Sequence, residues 1–157
     1  MAFIKSYFVN TTNDVDILSI IHDVRYAVRD SKAVEGLVTV IVPGAGASVM
    51  IFEPIEEVKE ELKIAFELFA GEGGEALNKK KEKISVSAHV QATTFGRQIS
   101  IPLSKGKLVI DPYEDIFLID FEKKSVRREF LIQVLSEAKE ADEKVCGGQV
   151  PKQALKK

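Results

Sequence analysis

The stretch Ile84 to Pro102, ISVSAHVQATTFGRQISIP, decides how the chain is read. An apolar-alternating strand leads to Ala88-His89, a short segment rich in Ala and Thr ends at Gly96, and a second alternating strand with Ile99, Ile101 and Leu103 leaves it. This reading puts the imidazole of His89 at a break between regular elements, where a rigid scaffold can aim a working side chain into a cleft. The plainer alternative is a histidine satisfied by a backbone carbonyl.

Downstream, Ser104-Lys105-Gly106-Lys107 reads as a hairpin turn with its glycine placed late, and Leu108 to Ile110 as the return strand. Asp111-Pro112 breaks that strand, Ile116 to Glu122 forms another, and Val126 to Leu135 alternates with Phe130, Ile132 and Val134 on one face. Upstream, Gly71 to Lys83 is a charged, glycine-rich loop. Before it, Pro54 to Ala70 carries Ile55, Val58, Leu62, Ala65, Phe66 and Phe69 at helical spacing, with Glu56 and Glu57 at the positive end of the dipole. Gly36 to Val42 is apolar on both faces apart from Thr39, so it must be covered twice, inside a layered structure or at a subunit contact. Phe3 to Val9 is a first strand. Thr11 to Asp14 then reads as the cap of a helix with Ile17, Ile20, Ile21, Val24 and Val28 on its apolar face.

Strand, helix, two strands, helix and five strands exclude the alternation of a doubly wound fold. The order predicts an α+β protein with mostly antiparallel, sandwich-like sheets and two main helices. One domain is expected over residues 1–145, with a helical extension up to Lys144 and a C-terminal tail over 146–157.

Charge narrows the function classes. With 22 Lys and Arg against 24 Asp and Glu, the net charge of −2 provides no general attraction to nucleic acid or anionic lipid. No apolar run is long enough to cross a bilayer and no secretory segment is evident at the N-terminus, so a cytoplasmic protein with no membrane partner is expected. The lone Cys146 fits a reducing compartment.

The candidate chemistry lies around two backbone N–H groups and three side chains. Pro43 to Ser48 follows a strand, and the backbone N–H groups at Gly46 and Ser48 can face an anion, with Arg97 as an accompanying cation. No Gly-Lys-Ser/Thr follows and the next element is a strand, which separates this loop from a nucleotide-binding P-loop. Glu53, at a strand end before the long helix, is the carboxylate best placed to work with His89. His22 falls on the flank of an amphipathic helix and reads as a surface residue. His89 and Glu53 alone are too few for a closed zinc site unless other subunits contribute, so no metal is assigned; no cofactor is assigned either.

From about Gly36 to Val134 the chain resembles the YjbQ-like family, which includes the so-called secondary thiamine-phosphate synthases. The resemblance rests on GLVTVIVP before the loop, a strand ending in Glu53, Ser87-Ala88-His89-Val90 followed by Gly96, and IPLSKGKLVIDPYEDIFLIDFE followed by Arg127-Arg128. It implies an α+β fold assembled as a homotrimer, with ligand sites near subunit contacts. It also implies a reaction joining a pyrimidine-methyl diphosphate to a thiazole phosphate, with a phosphorylated small molecule as ligand. Several family positions differ here. The loop histidine and its two threonines are replaced by Gly44-Ala45-Gly46, the asparagines flanking Glu53 by Phe52 and Pro54, the asparagine before His89 by Ser85, and the tryptophan-glutamine pair by Tyr113-Glu114. The tyrosine-histidine pair has no counterpart in Gly71 to Lys83. A degenerate site is expected, with His89 as hydrogen-bond donor or general acid and Glu53 orienting it. The alternative is a non-catalytic trimer that binds a ligand or is structural.

Overall fold

A computed structural model describes residues 1–137. Strand β1 spans Ala2–Asn10, β2 Asp16–Ser19, helix α1 Ile21–Ser31, β3 Gly36–Ile41 and β4 Ala47–Phe52. Helix α2 spans Glu56–Leu68, followed by β5 Glu75–Leu77, β6 Lys83–Ser85 and helix α3 Val86–Phe95. The remaining strands are β7 Gln98–Ser104, β8 Lys107–Leu108, β9 Asp115–Asp120 and β10 Arg127–Ser136. Every paired strand runs antiparallel to its neighbour: a five-stranded sheet in the order β1-β10-β3-β7-β8, a three-stranded sheet β2-β9-β4 and a small hairpin β5-β6. The α+β, sandwich-like expectation is met. The expected tail and Cys146 lie outside the described residues.

Period-two alternation builds the first core. Phe130, Ile132 and Val134 of β10, Val38 and Val40 of β3, and Ile101 and Leu103 of β7 point inward from the large sheet. They meet Val24, Ala27 and Val28 of α1 and one face of the smaller sheet, including Val49, Ile116 and Leu118. The other face of that sheet carries Phe117 and Ile119, with Phe121 just beyond the strand, against Phe66 of α2 and Ala88 and Ala92 of α3. Phe66 makes edge-on contacts with Phe95 at 5.0 Å and Phe121 at 5.2 Å. Each such pair is worth about 0.5–1.5 kcal/mol beyond buried area.

Three local expectations differ from the structure. Val86–Phe95 is a helix, so His89 stands on a regular element instead of a break. Ser85 caps it by accepting from the Ala88 N–H at 3.2 Å, and Gly96, at φ +87°, ends it. Gln91 is buried and donates to the Phe66 carbonyl at 3.0 Å, which also accepts from the Phe69 N–H at 3.1 Å, tying α3 to the end of α2. The expected first helix starts late: the Thr12 N–H and hydroxyl both donate to Asp16, at 2.6 and 2.9 Å, closing a loop, and Ile17 belongs to β2. Finally, the charged loop Gly71 to Lys83 contains β5 and the start of β6.

The outer face of the large sheet has no covering layer among the described residues. Strand register sets Ala2, Leu135, Leu37 and Pro102 in one row across four strands, with Leu37 39% and Leu135 45% exposed. No described helix is long and apolar enough to cross a membrane.

Candidate functional site

The loop between β3 and β4 is held by charge from several sides. Arg97, just after Gly96, donates from one guanidinium nitrogen to the carbonyls of Gly44 (3.1 Å) and Pro43 (3.4 Å). The Gly46 carbonyl accepts from the Phe121 N–H at 2.9 Å. Beneath the loop, Arg128 on β10 donates through Nε to Asp120 at 2.7 Å and through a terminal nitrogen to Glu122 at 3.2 Å. Asp120 is 1% exposed and Arg128 13%. A second Asp120 oxygen accepts from the Glu122 N–H at 3.0 Å, so the enclosed carboxylate is multiply satisfied. Burial works against the Arg128 charge, but its hydrogen bond to Asp120 and the charges of Asp120 and Glu122 hold its pKa above the ordinary arginine value.

The two loop glycines are matched to this triad. A Cβ at Gly44 would lie 2.9 Å from an Arg128 guanidinium nitrogen, and one at Gly46 would lie 2.5 Å from Glu122 Cγ. A side chain at either position would force the facing Arg128 or Glu122 to shift. Ser48 is fully buried in β4 opposite Ile119, and its hydroxyl faces the Ala92 carbonyl of α3 at 3.4 Å. Of the expected anion-binding residues, Gly46 belongs to this loop and Arg97 donates to it from the α3–β7 connection, while Ser48 is directed into the helix packing.

His89 sits elsewhere on α3. Its Nδ1 lies 2.9 Å from the Ser85 carbonyl. In the neutral ring that contact requires Nδ1–H, which makes Nε2 an acceptor. The ring lines a shallow cleft of about 300 Å³ with Ile84, Val86, Val90, Thr93 and Thr94. Glu53 is exposed at the end of β4, with its backbone carbonyl accepting from the Ile55 N–H at 2.8 Å. No hydrogen bond or ion pair joins Glu53 to His89 among the described residues, and Glu53 does not line the histidine's cleft. His22 is exposed on α1. No group of three or more His, Cys, Asp or Glu side chains able to hold a metal occurs among the described residues.

The family model described as UPF0047 protein YjbQ-like matches residues 5–137. The chain belongs to the YjbQ-like family. Solved structures share the fold. A YbjQ-like protein of unknown function from Sulfolobus solfataricus P2 is 20% identical with a TM-score of 0.77, over 87% of this chain and 99% of that one. A hypothetical protein from Aeropyrum pernix K1 is 21% identical with a TM-score of 0.75, over 86% and 99%. An uncharacterised conserved protein of the YjbQ/UPF0047 family from Clostridium acetobutylicum is 21% identical with a TM-score of 0.72, over 83% and 99%. No curated protein matches the chain. The YjbQ-like markers IDFE and Arg127-Arg128 contain the whole triad, Asp120, Glu122 and Arg128, which a reading centred on His89 passes over. Its only sequence signal is charge at the ends of two apolar strands.

Proposed function

We propose that this YjbQ-like protein is a cytosolic homotrimer that binds a ligand without transforming it, the loop after β3 being closed by the chain's own charges. The observation that carries this reading is the fit of Glu122 against Gly46. A pyrophosphate laid on the Gly46 backbone would meet a carboxylate already in contact there, and the nearby Arg128 is already paired with two acids. For assembly, the row Ala2–Leu135–Leu37–Pro102 offers apolar area to a second copy, and the count of three comes from the family resemblance. Light scattering on the purified protein tests it: a trimer is expected, reduced to monomer by Leu37→Asp, and a monomeric wild type refutes the assembly.

One observation favours a rival reading as a thiamine-phosphate synthase. Tethering of His89 Nδ1 to Ser85 leaves the other ring nitrogen for a ligand in the cleft. In that reading protonated His89 donates to the leaving group, and Glu53 of this or a neighbouring subunit orients it. Incubation with the pyrimidine-methyl diphosphate and the thiazole phosphate is expected to yield no thiamine phosphate. Product from the wild type, lost in His89→Ala, overturns the binding reading.

A further inference from the structure

We infer that the cleft between the C-terminal half of α1 and the β7–β8 hairpin is a binding site for a small organic phosphate with an apolar body. Its cavity, about 740 Å³, falls within the roughly 300–1,000 Å³ range of small-molecule sites. The floor is apolar: Val28 and Ala33 are buried and Leu108 and Ile110 half-buried, all packed on the main core and so rigidly placed. The rim is cationic. Arg25, Arg29 and Lys32 follow one another at i, i+4 and i+7 along α1 and its cap, and Lys107 faces them from the hairpin.

Four cations against the one lining carboxylate, Asp111, leave the cleft at +3 on a chain whose total is −2. None of the four is in an ion pair among the described residues. Asp111 is engaged in its own turn, one oxygen accepting from the Tyr113 N–H at 2.9 Å. Favourable charge at a helix C-terminus accounts for basic residues on the last turn of α1. It does not account for Lys107, which belongs to a different element. Arg29 is stacked on the Tyr26 ring, its guanidinium carbon 4.1 Å from the centroid, which orients the group while leaving its N–H edge available.

The hairpin itself is fixed against the connection that follows α1: the Gly106 N–H donates to the Val34 carbonyl at 2.8 Å, and the turn requires the positive φ of Gly106. Both walls are thus formed before any ligand arrives. Several convergent donors above an apolar floor suit a dianionic phosphate attached to a ring or short chain better than a bare anion or a neutral apolar molecule. This deepens the binding reading by naming a ligand class, but it stands on separate residues. Synthase activity would overturn that reading and leave the cleft intact, whereas an inert cleft would leave the closed loop intact.

The test uses the full-length protein and 1-naphthyl phosphate, with inorganic phosphate and 1-naphthol as comparators, followed by amide chemical shifts and calorimetric titration. Saturable binding of 1-naphthyl phosphate is expected, with shifts confined to Arg25 to Ala33 and Gly106 to Pro112. Each comparator should bind at least about tenfold more weakly, since losing either the charged contacts or the floor contacts is worth a factor of that order. The exposed-site double variant Arg25→Glu/Lys107→Glu should lose about tenfold or more in affinity with an unchanged thermal melt. If that variant does not fold, Lys107→Ala alone should still weaken binding measurably. Unchanged affinity in the variants, shifts centred on other residues, or equal binding of inorganic phosphate overturns the inference.

Discussion

Two clusters of basic residues in this molecule are put to opposite use. Arg128 is enclosed and its charge is paired with Asp120 and Glu122, with Gly44 close against one of its terminal nitrogens. Arg25, Arg29, Lys32 and Lys107 are exposed on both sides of an open cleft and are paired with no acid among the described residues. The first cluster fixes the protein's own loop; the second has donors left over for something else. Charge alone therefore does not mark a ligand site: what separates the two is whether the charge is already buried against acids of the chain itself.

Arg128→Ala strands the Asp120 carboxylate in the interior and should destabilise the fold by about 3–5 kcal/mol in urea unfolding. Replacing Asp120 and Arg128 together with Leu and Met should recover most of that loss, because the one carboxylate left without its partner, Glu122, is partly exposed to water. A single-variant cost under about 1 kcal/mol would show that water reaches the triad. Next in size is Gly46→Ala, expected to cost about 1–3 kcal/mol as the new Cβ displaces Glu122. In a Glu122→Ala background the same substitution should cost much less, and additive costs in that cycle would refute the contact.

The Tyr7 hydroxyl is enclosed without a hydrogen bond among the described residues. Burial, then the charges of Asp30 and Asp23, raise its pKa above the ordinary 10.0. Because the folded state resists ionisation, its contribution holds below pH 10.0 and is lost as pH rises through the raised value. Tyr7→Phe should be neutral to about 1 kcal/mol stabilising at neutral pH, and its advantage should grow above pH 10.0 in paired urea titrations. The smallest effect belongs to the open cluster: Lys107→Ala should change stability by less than about 0.5 kcal/mol, since it removes no described ion pair.

Strands β3, β4, β7, β9 and β10 are legible because their apolar spacing is set directly by the surfaces they bury. Helix α2 is legible from its helical spacing, although only Phe66 of its apolar stripe is buried. Helix α3 is not. Its small and β-branched residues, with Ala88, Gln91 and Ala92 buried and Thr93 and Thr94 exposed, give no clear helical stripe, and the surviving cues are the Ser85 cap and the Gly96 stop. The start of α1 misleads for a different reason. Thr12 and Asp16 make the hydrogen bonds a helix cap would make but close a loop with them, while Ile17 keeps helical spacing to Ile20 and Ile21 by coincidence. At the candidate site, Arg97 reaches the loop that contains Gly46 but bonds to Pro43 and Gly44, a contact that residue type alone does not specify. Asp120, Glu122 and Arg128 escape notice because charges at strand ends ordinarily face solvent, and only tertiary packing encloses these.

The pairing of β1 with β10 has a consequence for synthesis. Ala2 is opposite Leu135, and the Met1 amine donates to the Ser136 carbonyl at 2.9 Å, so the strand made first acquires its neighbour last. At ordinary translation speeds Phe3, Tyr7 and Val9 wait on the order of ten seconds for β10 to emerge from the ribosome. Throughout that interval the nascent chain carries an unpaired, aromatic-rich strand, a natural client for a holdase chaperone and the segment most exposed to mispairing between neighbouring nascent chains.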